Sequence, residues 1–382
     1  MEAYITALSS FLPNEPVNND DMERMLGLID NVPSRTRRII LRNNKIKQRY
    51  YAIDRDSLQQ THTNIELTAA AIRKLQPSSD FTLEQIECLC CGTSSPDQLM
   101  PGHAPMVHGE LGCGPCEVVT TSGICICGVS ALKIACMQVA TGSSNNAVAT
   151  GSELATSFMS TSICGNPSVQ SYTEVQKQSA LSFDTDFLRW MLSDGAGAAF
   201  VSPKPAATGN SLKVEWIDQI SSAHELQTCM YAGAIKNDDG SLTGWRSLGS
   251  LQNAIDQQAF LVKQDVKLLN EEIITTAIDR ALLPIIARRK LAAQDVTWFV
   301  PHYSSDYFRA PLHKRMLEKG FHIPYERWFT NLETKGNTGS ASIYIILEEL
   351  FHSGKLNKGD KILCFVPESG RFSMCYMLLS VV

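Results

Sequence analysis

Short apolar runs bounded by glycine, proline or polar clusters alternate along the chain with longer stretches of helical periodicity. AYITAL, IECLCCG, EVVTT, NAVATGS, GAAFVS, LKVEWI, TWFVPH, KILCFV and SMCYMLLSVV read as strands. NIELTAAAIRKLQ, CGVSALKIACMQVAT, LNEEIITTAIDRALLPII and SIYIILEELFHSG read as helices. Strands alternating with helices predict an α/β fold. The longer helices are apolar around much of their circumference, as helices buried between layers are.

The pattern also repeats. SALKIACMQVATG leads into SSNNAVATGSE, and SASIYIILEELFHSG leads into KLNKGDKILCFVPESG. Each copy opens a helix with Ser-Ala, closes it near a glycine, and continues into an apolar strand that ends at a glycine turn. The chain therefore reads as two topologically similar halves, residues 1–204 and 205–382. They divide near SPKPAATGN, Ser202 to Asn210, whose small, Pro- and Gly-rich composition suits an exposed linker.

Composition narrows the classes. The 382 residues are 44% hydrophobic and 19% charged, enough for a sizeable core. A formal net charge of −5 argues against nucleic-acid binding, which needs a basic footprint. There is no apolar run of about 18 residues, so no membrane span is expected. MEAYITALSSFLPNE reads as a strand rather than a signal peptide, which predicts a cytoplasmic protein with its twelve cysteines reduced. Cys88, Cys90 and Cys91 in CLCC, and Cys113 and Cys116 in CGPC, are expected to be core thiols, with no metal ion.

Several positions suit chemistry. SGICICGVSALKIACMQVATG holds Cys125, Cys127 and Cys136. Cys125 falls where a strand has turned toward a helix, and free N–H groups at a helix start favour a thiolate. Cys127 falls in the same first turn, and Cys136 is expected in the core. His302 follows the strand of WFVPH, where α/β folds place catalytic groups. Asn337, in GNTGSAS, precedes a helix and also suits a cap. Gly370, in VPESGRF, suits a turn. Glu153, after the strand NAVATGS, is either a surface carboxylate or one reaching the floor of a site. SRTRRIILRNNKIKQR concentrates Arg35, Arg37, Arg38, Arg42, Lys45, Lys47 and Arg49 on an acidic chain.

These features, in this order, resemble the thiolase superfamily and most closely its β-ketoacyl-acyl-carrier-protein synthase III family. The resemblance runs over nearly the whole chain: Leu111-Gly112, the stretch from Cys125 through Gly151, LSDGAGAAFV (Leu192 to Val201), VPH, GNTGSAS, and IKQRYYA (Ile46 to Ala52). It implies a five-layered αβαβα thiolase-like fold of two βαβαβαββ halves. It selects Cys125, by spacing from Gly112, Gly142 and Gly151, as the nucleophile, with His302 and Asn337 as its partners. It also implies an oxyanion hole from the amides of Cys125 and Gly370, and no cofactor. Many members have Cys-x-Gly where this chain has Cys-x-x-Gly, Cys125 to Gly128.

The implied reaction is decarboxylative Claisen condensation of acyl thioesters through acyl-Cys125. An acidic residue at 153 is similar to the ketosynthases that form cyclohexanedione or dialkylresorcinol rings. The alternatives are a simple priming ketosynthase and a non-catalytic partner subunit. The resemblance further implies a homodimer and substrates carried on acyl carrier protein or coenzyme A. Arg35, Arg37, Arg38 and Arg42 are the candidate contacts for that carrier. Ile39 and Asn43 stand where standard members have the Trp and Arg that hold the coenzyme A adenine, which favours carrier-bound substrates.

Overall fold

The nine apolar runs become the nine strands of one mixed sheet. A computed structural model describes residues 2–28, 32–78, 81–160 and 187–382. The strands are β1 (Tyr4–Phe11), β2 (Cys88–Thr93), β3 (Glu117–Ser122), β4 (Ala147–Glu153), β5 (Gly195–Ser202), β6 (Leu212–Ser221), β7 (Trp298–Pro301), β8 (Lys361–Glu368) and β9 (Ser373–Val381). Their order is β7-β8-β9-β6-β1-β5-β4-β2-β3. Numbered within the first half, the strands run 3-2-4-5-1, with the fifth antiparallel to its neighbours. The second half repeats that order. Its third strand is reduced to a single parallel bridge, Phe299 to Trp328. The two halves are joined by hydrogen bonding between β1 and β6, at Tyr4–Lys213 and Ile5–Leu212.

Helices α1 (Asn64–Arg73) and α2 (His103–Leu111) cover the outer face of the first half. Thr63 and Glu66 close a capping box at the start of α1. Helices α3 (Ile126–Thr141) and α4 (Ser342–His352) form the central layer, and each touches strands of both halves. Buried Val129, Leu132, Ala135 and Val139 of α3 share one core with Ile343, Ile346, Leu347 and Leu350 of α4. This explains why both helices are apolar nearly all round. Strand alternation sends Cys88 and Cys90 into that central core, and Leu89 and Cys91 toward α1 and α2.

The helix expected over LNEEIITTAIDRALLPII begins at Val266, where the Asp265 carboxylate accepts from the Leu268 N–H. It widens to a π-helix over Thr276–Leu282 and resumes as an α-helix over Leu283–Arg289. Pro284 lies just beyond the widened turn and has no N–H to donate into it. No helix among the described residues is long and apolar enough to cross a membrane.

Candidate active site

Three glycines set how closely α3 packs against its neighbours, two of them at the approach of the two halves. A Cβ on Gly92 of β2 would stand 2.5 Å from the Cys127 carbonyl oxygen. A Cβ on Gly128 of α3 would stand 2.3 Å from the Ser340 carbonyl oxygen, and one on Gly151 of β4 2.2 Å from the same atom. With no side chain at any of them, the first turn of α3 packs backbone to backbone against β2, and against the segment Gly339–Ala341 that leads into α4. That packing brings Cys125 and Asn337 to one place.

Cys125 is the residue immediately before α3. It lines a cavity of about 270 Å³ together with His302, Asn337 and Glu153. The cavity then runs along apolar Leu188, Met191, Ile273, Leu312 and Phe365. Phe187, Leu188, Met191, Leu192, Val262 and Gln264 contribute to its wall; Asp186, which opens the segment DFLRWMLSDGAG, lies outside the described residues. Cys127 is fully buried away from the cavity, and its thiol donates to the Ile124 carbonyl at 2.9 Å. Cys136 is buried in the central core, as expected.

His302 directly follows β7, and its backbone N–H donates to the Phe365 carbonyl at 2.8 Å. Burial lowers its imidazole to about 4, so the ring is neutral at pH 7 and offers one donor and one acceptor. Asn337 is held on both sides by its backbone: its N–H donates to Met191 O at 3.0 Å, and its carbonyl accepts from the Ser193 N–H at 2.8 Å. Its Oδ1 accepts from the Gly339 N–H at 2.9 Å, which fixes the amide and leaves Nδ2 as the group to donate.

Two expectations about the nucleophile position need correction. The helix start was expected to favour a Cys125 thiolate. Instead, burial pushes the thiol up, and the charges of Glu153 and Glu368 push the same way. Gly370 was expected to offer its amide to an oxyanion. Here that N–H donates to the Glu368 carboxylate, which also accepts from Arg371 at 3.3 Å and Ser373 at 3.1 Å. The turn after β8 thus forms a nest of N–H groups filled by the chain's own carboxylate. Sequence reading missed Glu368. Its only signal was an acid two residues before the turn glycine.

Glu153 is buried, not a surface cap. Its Oε2 accepts from Ser94 Oγ at 2.7 Å and Ser95 Oγ at 2.9 Å, and its Oε1 from the Ser340 N–H at 3.3 Å. Burial raises its carboxyl, against the pull of these bonds. Ser94 and Ser95, in an unremarkable polar loop, gave no sequence signal. The LSDGAG and IKQRYYA segments meet through Asp194, whose carboxylate accepts from Ala52 N–H, Thr156 N–H and Thr156 Oγ1.

The basic stretch divides. Arg37 pairs with Glu23 at 2.8 Å. Arg49 is fully buried, bonded to Asn19 and the Trp190 carbonyl. Arg35, Arg38 and Arg42 are exposed on or just before the helix Arg37–Asn44. That helix touches Asp306–Phe308, and Phe308 lines the cavity.

Two buried imidazoles make stability depend on pH. Burial lowers both His103 and His302 to about 4. In the unfolded chain they titrate near 6.5, so unfolding takes up protons between about pH 6.5 and 4. Their contribution is complete above about pH 6.5. It is lost on acidification, at up to about 3 kcal/mol per imidazole. Asp194, raised by burial to about 6, works in the opposite direction. The difference between wild type and His103→Gln therefore isolates one imidazole. The destabilisation of wild type from pH 7 to 4.5, followed by denaturant unfolding, is expected to be smaller in the variant.

Comparison with known proteins places the chain beside condensing enzymes. The profile of the C-terminal region of 3-oxoacyl-acyl-carrier-protein synthase III matches residues 286–377. The β-ketoacyl-acyl-carrier-protein synthase III of Porphyromonas gingivalis is 24% identical over 366 residues, covering 95% of this chain and 92% of that one. Its counterpart from Chlorobium phaeobacteroides is 26% identical over 371 residues, covering 95% and 94%. Among solved structures, the tetronic acid condensing enzyme AbyA1 superposes with a TM-score of 0.76 at 18% identity, covering 99% of each chain. OleA of Xanthomonas campestris, solved with lauric acid and lauroyl-CoA, gives 0.74 at 19%, covering 100% of this chain and 99% of that one. The fold is that of the condensing enzymes of the thiolase superfamily. Over nearly its whole length the chain is similar to β-ketoacyl-acyl-carrier-protein synthase III, and it is accordingly a condensing enzyme of the acyltransferase class.

Proposed function

We propose that the protein joins a β-ketoacyl unit to a second acyl thioester by decarboxylative Claisen condensation through acyl-Cys125, and then closes the product into a ring of the cyclohexanedione or resorcinol type. The observation that carries this reading is the convergence of Cys125, His302, Asn337 and Glu153 on one largely apolar cavity.

The Cys125 sulfur, its proton passed to His302, attacks the first thioester, and the carrier leaves as a thiol that takes that proton back from His302, which is neutral again. A β-carboxylated second thioester then takes the vacated polar end. Its thioester oxygen receives hydrogen bonds from the neutral His302 ring and from Asn337 Nδ2. Loss of CO2 leaves an enolate held by those donors. The enolate carbon attacks the acyl-Cys125 carbonyl, the new C–C bond forms, and the Cys125 thiolate is released. The tetrahedral oxygen falls to the Cys125 amide. Gly370 joins it once the Glu368 carboxylate turns out of the nest.

Glu153 supplies the base for ring closure. A buried carboxyl with a raised pKa is suited to taking a carbon-bound proton near neutral pH. The Ser94, Ser95 and Ser340 donors keep its geometry fixed. Glu153→Gln is expected to be acylated on Cys125 as wild type is, but to release linear condensed product in place of cyclic product. Mass-spectrometric product analysis reads the difference. Equal cyclisation by wild type and variant would remove Glu153 from the mechanism, and linear product from both would favour simple priming.

The exposed Arg35, Arg38 and Arg42 suit an acidic carrier protein or a coenzyme A phosphate. A homodimer is proposed from the family resemblance. The end strand β3, which pairs on its outer edge with no other strand among the described residues, offers a place for two copies to continue the sheet.

A further inference from the structure

We propose that His108, Cys113 and Cys116 form a binding site for a thiophilic divalent cation such as Zn2+, separate from the cavity of Cys125. The residues follow one another as His-x4-Cys-x2-Cys across the end of α2. The helix stops at Gly112, whose φ of 64° lets its N–H reach back to the His108 carbonyl at 3.1 Å. The Cys-Gly-Pro-Cys turn that follows doubles over the last turn of the helix. It brings a ring nitrogen of His108 and the Sγ atoms of Cys113 and Cys116 all within 4.8 Å of one another.

Around a tetrahedral zinc, donors at bond lengths of 2.0–2.3 Å lie roughly 3.5–3.8 Å apart. Side-chain adjustment of about 1 Å therefore closes the site. His108 is also already oriented. Its Nε2 is 2.9 Å from the Gly114 carbonyl, so that nitrogen carries the proton and Nδ1 keeps its lone pair. Metal-bound imidazoles are characteristically steadied by such a bond to a carbonyl.

Packing alone does not explain these thiols. Cys88, Cys90 and Cys91 are fully buried, whereas Cys113 and Cys116 are half-buried and unbridged. Soft thiolates with one imidazole select zinc-like ions over magnesium or calcium. None of the three residues lines the Cys125 cavity. The ion would tie the end of α2 to β3, which begins one residue after Cys116, and leave a fourth position to solvent.

The test uses the full-length protein, stripped of metal by a chelator and kept reduced with a phosphine. Cobalt(II) is expected to bind at one equivalent with a thiolate-to-cobalt charge-transfer band, and zinc(II) to displace it. Zinc is also expected to protect Cys113 and Cys116 from alkylation in the wild-type protein, a reading that needs no variant. Cys113→Ser, Cys116→Ser and His108→Gln should each weaken cobalt binding by more than about 100-fold, since even outer-sphere losses cost 10–100-fold. Cys88→Ser and Cys125→Ser should keep the band. The proposal is overturned by a wild-type protein with no cobalt band, by a band that survives Cys116→Ser, by one lost with Cys125→Ser, or by alkylation that zinc does not slow.

Discussion

Cys125→Ala is expected to emerge from incubation with an acyl thioester at its unmodified mass and to lose condensing turnover by at least about 10⁴-fold, as loss of a covalent nucleophile does elsewhere. Cys127→Ala is expected to keep both adduct and turnover. The two cysteines are two residues apart, yet they lie in different surroundings. Cys125 opens onto the cavity beside His302 and Asn337, whereas Cys127 is sealed beneath it with its thiol committed to the Ile124 carbonyl. Intact-protein mass after incubation decides between them. An adduct that persisted in Cys125→Ala and vanished in Cys127→Ala would sink the assignment. An unmodified wild type across many thioesters would favour a non-catalytic partner subunit.

The raised Cys125 thiol shapes the same experiment. A thiol pushed up by burial is a poor nucleophile at rest, so its reactivity depends on passing the proton to a neighbour as substrate arrives. Neutral His302 is the acceptor at hand. Small alkylating agents should accordingly modify Cys125 slowly at neutral pH and faster as the pH rises.

The second large effect concerns Gly151 and Gly128. An alanine Cβ at either would overlap the Ser340 carbonyl, at 2.2 and 2.3 Å. These atoms are backbone on both sides, so no rotamer change relieves the clash. β4 or α3 would have to move by about 1 Å against the segment entering α4. Overpacking a core costs about 1–3 kcal/mol where side chains can yield, and rigid backbone places these two at the upper end or beyond. Gly151→Ala and Gly128→Ala are each expected to lower Tm by about 4 °C or more at this chain length, or to prevent accumulation of folded protein. Activity should fall further than stability, because the Ser340 N–H holds Glu153 and the Gly339 N–H holds Asn337. Gly109→Ala is the control: a Cβ there meets nothing within 4 Å, and it sits within α2. It should be neutral or slightly stabilising. An unchanged melting temperature for Gly151→Ala would remove the close-approach argument.

The sequence by itself determined the elements, the likeness of the two halves and the residues around which chemistry gathers. Period-two and helical patterns are local, so all nine strands and the two central helices stood out without knowledge of their neighbours. The echo of helix, glycine and strand marked the two halves as similar, while the 3-2-4-5-1 order of their strands came only with the structure. Cys125, Asn337 and Glu153 sit where an element begins or ends, and such boundaries are written in local composition.

Tertiary structure decided what those residues experience. Whether Glu153 meets water or the cavity floor depends on Ser94, Ser95 and Ser340, far from it in the chain. Arg49 looks like its basic neighbours in sequence, but Trp190 and Asn19 fold over it. The expected thiolate at Cys125 and the free amide at Gly370 failed for different reasons. Burial and the charges of Glu153 and Glu368 outweigh what a helix start offers Cys125, whereas the Gly370 amide is taken up within its own turn by the Glu368 carboxylate. His108, Cys113 and Cys116 follow the same logic, since the reversal at Gly112 turns spacing along the chain into proximity.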